Sequence, residues 1–174
     1  MIKKVSVVPR DTIKIWAIET QHGVRDYVNK WALISIYGDE GPLSSKVKSN
    51  LTCSEYSEYF FHDIETKISK FPCKGEYKLF SKNDARRIIK FINDVQKKDI
   101  SELVIHCHAG ISRSAGVGIF AVRYLGLNES IFHKEHPYIM PNYHVVNLLN
   151  KISGLDKSYV QFWKSLEEEQ FRIY

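Results

Sequence analysis

The chain of 174 residues has only three cysteines, Cys53, Cys73 and Cys107, and their irregular spacing excludes the disulfide framework that staples small secreted domains. No apolar run reaches the length of a membrane span. The amino terminus meets Arg10 and Asp11 too early to hold the apolar centre of a secretory signal. No internal repeat, low-complexity tract or linker-like segment divides the chain. Lys and Arg residues do not gather into a long cationic block, so the formal net charge of +5 suits an anionic substrate and leaves nucleic acid a minor alternative. These absences predict a single domain over residues 1–174, cytoplasmic and without a membrane partner. A hydrophobic share of 44% is enough for one core.

What is present alternates between strand and helix periodicity. Residues 5–8 form a short β-rich run ended by Pro9, and residues 31–37 read as a buried strand closed by the turn formers Gly38-Asp39-Glu40-Gly41-Pro42. A third strand covers residues 58–62 and ends at Asp63. Residues 12–18 fit a strand by their β-branching and a helix by their surroundings, and both remain open. The capping-box residues Ser81 and Asp84 start a helix to about Gln96, whose stripe of Ile88, Ile89, Ile92 and Val95 is core. Asn142 caps a helix over residues 143–153, and an amphipathic helix with Val160, Trp163, Leu166 and Phe171 on one side covers residues 157–172. Residues 44–55 read as a polar connection and 128–142 as irregular. Residues 66–82, with Pro72 and Gly75, form a loop long enough to be a lid. This order predicts an α/β fold with a central, mainly parallel sheet flanked by helices and a ligand at its carboxyl edge.

The chemistry concentrates in His106-Cys107-His108-Ala109-Gly110-Ile111-Ser112-Arg113-Ser114, preceded by the strand-like residues 103–105 and followed by a helix over 114–125. A tight loop between a strand and a helix N-terminus converges backbone N–H groups and the helix dipole on an anion. Gly110 lets that loop curl without a side-chain clash. The same field favours the thiolate of Cys107, which is the competent nucleophile. Arg113 offers a planar fork for two phosphoryl oxygens. A buried cysteine beside a chance arginine is the plain alternative. A His106-Cys107-His108 metal cluster is a weaker one, because neighbouring strand residues point to opposite faces. No metal or cofactor is expected.

This segment resembles the Cys-x5-Arg signature loop of the cysteine-dependent protein tyrosine and dual-specificity phosphatases. The resemblance implies that Cys107 attacks phosphorus, that Arg113 holds the phosphoryl group with the loop residues His108, Ala109, Gly110, Ile111 and Ser112, that His106 tunes the thiolate and that Ser114 assists the departing sulfur. Such chemistry needs a proton donor on a facing loop. Asp84 and Asp94 lie on the preceding helix and Asp99 leads into the strand, which leaves Asp63, with Glu65 and Glu76 next in line. Phe61-His62-Asp63-Ile64 and Pro141-Asn142 also resemble small microbial members of the family. The Trp-Pro-Asp tripeptide of larger tyrosine phosphatases is absent.

The implied partner is a phosphorylated protein carrying phosphotyrosine, with phosphoserine and phosphothreonine left open. The competing readings are a phosphoinositide or RNA 5′-phosphate phosphatase, a non-catalytic phosphoprotein-binding module, and a rhodanese-type sulfurtransferase. Lipid-directed relatives usually place lysines inside the loop, where this chain has His108, Ala109, Ile111 and Ser112. A disulfide from Cys53 or Cys73 to Cys107 also stays open.

Overall fold

The computed structural model describes residues 1–22, 30–65 and 77–155. Their elements follow the order β1 (Lys4–Pro9), α1 (Arg10–Gln21), β2 (Trp31–Tyr37), α2 (Ser45–Ser49), β3 (Glu55–Phe60), α3 (Lys82–Gln96), β4 (Glu102–Cys107), α4 (Arg113–Tyr124), α5 (Glu129–Glu135) and α6 (Tyr143–Ser153). The four strands are all parallel, in the order β1-β4-β2-β3. The last strand in the chain therefore lies between β1 and β2, and its carboxyl end places Cys107 at the middle of one sheet edge.

Alternation along the strands builds a core on each face, as expected for a parallel sheet covered on both sides. Ala32, Ile34 and Ile36 of β2 with Leu103 and Ile105 of β4 pack under α3, α4 and α6, where Ile88, Ile92, Phe120, Val145 and Leu149 are buried. Trp31, Leu33 and Val104 face the other way, against Ile13 and Trp16 of α1 and Val47 of α2. Each fully buried side chain of this size contributes about 1.5–3 kcal/mol of transfer free energy.

Residues 12–18 resolve as helix within α1. Pro9 occupies the N-cap, Asp11 in the first turn pairs with Lys14 at 2.8 Å, and Ile13 and Ala17 bury one face. Packing of that face outweighs the β-branched propensity. The capping box of α3 forms as read: Ser81 Oγ accepts from Asp84 N at 3.2 Å and Asp84 Oδ2 accepts from Ser81 N at 3.1 Å. Asn142 Oδ1 likewise accepts from Val145 N at 3.1 Å and starts α6.

Three expectations need correction. The third strand runs over Glu55–Phe60 rather than 58–62, because pairing with β2 begins at Ala32 opposite Glu55 and leaves His62 beyond the sheet. The polar connection 44–55 contains α2, capped by Ser44 Oγ accepting from Val47 N. The irregular 128–142 contains α5, capped by Asn128 Oδ1 accepting from Ile131 N, with Phe132 buried against the core. The helix expected over 157–172, and Pro72, Cys73, Gly75 and Glu76, lie outside the described residues. Among the described residues no helix is long and apolar enough to cross a membrane.

Candidate active site

Between Cys107 and α4 the chain turns through residues 108–112, and three distant segments hold its carbonyls. Arg10 N donates to His108 O at 3.1 Å, Met140 N to Ile111 O at 3.0 Å, and Asn142 N to Ser112 O at 3.2 Å. The amides of residues 108–112 donate to no backbone carbonyl among the described residues. A loop whose carbonyls are tied outward leaves its N–H groups to form a concave anion cradle, next to the N-terminus of α4. Gly110 has φ +74°, and a Cβ there would lie 2.5 Å from Pro9 N and 2.6 Å from Val8 C, so only glycine fits against β1.

Cys107 is buried, with its Sγ 3.1 Å from the Oγ of the equally buried Ser114. Arg113, 7% exposed, donates from Nη1 to Phe61 O and from Nη2 to Glu40 Oε1, both at 3.2 Å. Its buried Nε has no acceptor among the described residues, an orphan donor that an incoming oxyanion would satisfy. Burial works to raise the pKa of Glu40, but hydrogen bonds from its own backbone N–H and that of Gly38, together with the Arg113 guanidinium, hold it below the usual glutamate range. Gly38 makes room for this pair, since a Cβ there would lie 3.1 Å from both Arg113 Nη1 and Glu40 Oε2. Arg10 fixes the same turn through Gly41 O at 2.5 Å and Pro42 O at 2.7 Å.

Sequence reasoning missed Glu40, because an acidic residue among turn formers is ordinary. The usable signal was its place after the carboxyl end of β2, the neighbour of the strand that ends at Cys107.

His106 is fully buried on the face opposite Cys107, and its Nδ1 lies 3.4 Å from Cys107 O. Desolvation pushes its pKa down to about 4; the contact with the Cys107 backbone opposes the shift and the charge of Arg10 adds to it. The imidazole is neutral at pH 7. Below the unfolded value of about 6.5 the unfolded chain binds a proton that the folded one refuses, so stability falls as pH drops from about 6.5 to about 4. The loss attributable to this residue is on the order of 3 kcal/mol. Urea melts across this window should flatten in His106→Asn; an equally steep dependence in the variant would assign the effect elsewhere.

The structure brings Asp63 onto the loop. Its Oδ1 accepts from Ser112 Oγ at 2.7 Å and from Asn142 Nδ2 at 2.9 Å, while the residue stays exposed. The other carboxylates are engaged elsewhere: Asp84 in its capping box, Asp94 with Lys90, and Glu65 with Tyr143 N at 2.8 Å. Asp99 precedes the amino end of β4, the far edge from Cys107. Cys53 lies at that far edge too. Glu55 and Leu103 share a register through Ala32, which puts Cys53 six residues, roughly 20 Å, below Cys107. No disulfide spans that distance. Desolvation pushes the Cys53 thiol up to about 11.

Exposed apolar side chains lie on the loop and on the segments bonded to it. Ile111 is 40% exposed, Met140, bonded to its carbonyl, 60%, and Tyr138 85%. Tyr77 is 43% exposed and packs in a T-shaped contact with His62, the neighbour of Asp63, with ring centroids 5.1 Å apart. His62 Nδ1 accepts from Lys78 N at 2.8 Å, so its Nε2 donates to Asp39 Oδ1 at 3.0 Å.

No protein-family model and no curated protein matches the chain. Among solved structures it is similar to Tk-PTP in the active form, at 18% identity and a TM-score of 0.49 over 86% of this chain and 90% of that one. It is similar to human tyrosine phosphatase-like serine/threonine/tyrosine-interacting protein, at 17% and 0.48 over 79% and 82%. It is also similar to PTPMT1 in complex with PI(5)P, at 12% and 0.50 over 86% and 90%. The likeness to PTPMT1 shows a shared α/β fold, here with an all-parallel sheet.

Proposed function

We propose that the chain is a cysteine-dependent phosphatase that hydrolyses phosphotyrosine, and secondarily phosphoserine and phosphothreonine, in proteins. The observation that carries this reading is the loop at Cys107, whose carbonyls are tied outward by Arg10, Met140 and Asn142 while a buried Arg113 N–H lacks an acceptor. In the first step Cys107 Sγ attacks phosphorus, the ester P–O bond breaks, and Asp63 protonates the departing oxygen. The two hydrogen bonds to Asp63 Oδ1 leave Oδ2 to carry that proton. In the second step Asp63 takes a proton from water, the water oxygen attacks phosphorus, and the P–S bond breaks toward a thiolate that receives the Ser114 hydroxyl bond. Inorganic phosphate leaves.

Apolar Ile111, Met140, Tyr138 and Tyr77 on and near the loop suit an aromatic leaving group in a protein better than a polyphosphorylated headgroup, which needs extra cations in the loop. A turnover panel of phosphotyrosine, phosphoserine and phosphothreonine peptides, a phosphoinositide and an RNA 5′-triphosphate tests the assignment. The phosphotyrosine peptide should give the highest kcat/KM, and faster turnover of lipid or RNA would overturn it.

Asp63→Asn should reduce kcat by on the order of 10²-fold for an alkyl phosphate, whose alkoxide needs a proton to leave. For an activated aryl phosphate the loss should stay below about tenfold. Equal losses with good and poor leaving groups would remove Asp63 from the acid role.

A further inference from the structure

The cations that look scattered along the chain are collected by α3 onto one line. Lys82, Arg86, Lys90 and Lys97 are separated by four, four and seven residues, each close to a whole number of helical turns, and all four are exposed. Asp94 neutralises Lys90, whereas Lys82, Arg86 and Lys97 form no ion pair among the described residues, although the charge of Lys97 also acts on Asp94. Beside this line runs a groove of about 350 Å³, walled by Arg86, Lys90, Asn93 and Asp94 of α3 and by its C-cap Lys97, with half-buried Ile89 and with Ile152 of α6 as its apolar part. The line starts next to the mouth of the site: Lys82 follows the N-cap Ser81, and Lys78, four residues before Lys82, accepts from His62 N through its carbonyl and donates its N–H to His62 Nδ1.

We propose that this face of α3 docks an acidic, leucine- or isoleucine-containing stretch of the phosphoprotein substrate, carried some distance from the phosphorylated residue. The proposal rests on the phosphoprotein reading of the site. The line spans about 22 Å, the length of roughly seven extended residues. Carboxylates of such a segment would meet Lys82, Arg86 and Lys97 in turn, and an aliphatic side chain would cover Ile89 and Ile152. A membrane surface fits less well, because none of the exposed large hydrophobic residues lies on α3. Single-stranded nucleic acid fits less well too, since the only aromatic residue of α3, Phe91, is half-buried and offers no stacking platform.

The test uses the full chain carrying Cys107→Ser and a fluorescent peptide rich in Glu and Asp with one leucine. Its Gln/Asn counterpart, a single-stranded RNA of equal charge and vesicles containing anionic lipid are the comparisons. The acidic peptide should bind in a salt-sensitive manner, and the triple variant Arg86→Glu, Lys90→Glu, Lys97→Glu should weaken it by at least about tenfold. In the chain with Cys107 intact, the triple variant should raise KM about tenfold for a phosphotyrosine peptide extended by the acidic stretch. It should leave kcat, and turnover of a small aryl phosphate, unchanged, which also shows that it folds. Equal binding of the acidic and amide peptides, an unaffected triple variant, or tighter binding of RNA or vesicles would overturn the docking assignment. Loss of aryl phosphate turnover in the unmodified chain, with peptide binding intact, would instead overturn the phosphatase reading.

Discussion

Cys107→Ser is expected to lower turnover of any phosphomonoester by on the order of 10⁴-fold or more, while inorganic phosphate still binds. The two parts of this expectation come from different atoms. Under the proposed mechanism turnover requires the Cys107 sulfur as nucleophile, and a serine hydroxyl in the same buried place is a far weaker one with no base beside it, since His106 faces the other side of the sheet. Binding depends on the amides of residues 108–112 and on Arg113, which the substitution leaves in place. Initial-rate assays and phosphate titration calorimetry on the same preparation separate the two. Residual activity within about tenfold of the parent would exclude a covalent route through Cys107, and loss of phosphate binding would show that the cradle depends on the sulfur.

Arg113→Lys should cost on the order of 10³-fold in kcat/KM. The guanidinium serves Phe61 O and Glu40 through its two terminal nitrogens and still has Nε to offer, a division that a single ammonium cannot reproduce. Lysine placed here would remain with the Glu40 carboxylate, whose charge is uncompensated without it, and so withdraw from the substrate. An unchanged kcat/KM would take Arg113 out of the phosphoryl site.

Local chemistry explains what could be read from the sequence. The strand over 31–37 and the helix over 143–153 coincide with β2 and α6 because an unbroken apolar run and an Asn142 cap are contiguous signals. The signature loop was legible for the same reason. The extent of β3 was not, since β2 imposes its register, and α5 was hidden by a composition rich in His, Pro and Tyr until its Asn128 cap is seen. Asp63 was reached by elimination, but its two anchors, Ser112 and Asn142, are 49 and 79 residues away. Glu40 and the outward ties from Arg10 and Met140 belong to tertiary order alone. Their residue types carry no local mark, and only the strand order brings them to Cys107.

That strand order has a consequence for how the molecule comes into being. Among the described strands β1 comes earliest, yet its one neighbour among them is β4, with Lys4 paired to Glu102 and Pro9 to Cys107. During synthesis β1 and α1 therefore wait through nearly a hundred residues for β4, the described strand that β1 joins, and the β2–β3 pair lacks its central neighbour until the same moment. Closing so long a loop costs entropy before any contact repays it, so arrival of β4 is the natural slow step. Gly110 then seats on the backbone of Val8 and Pro9 only once β1 is home. The Cys107 loop and the completed sheet arise in one event, so the proposed phosphatase activity would first appear as folding ends and serve as its clock.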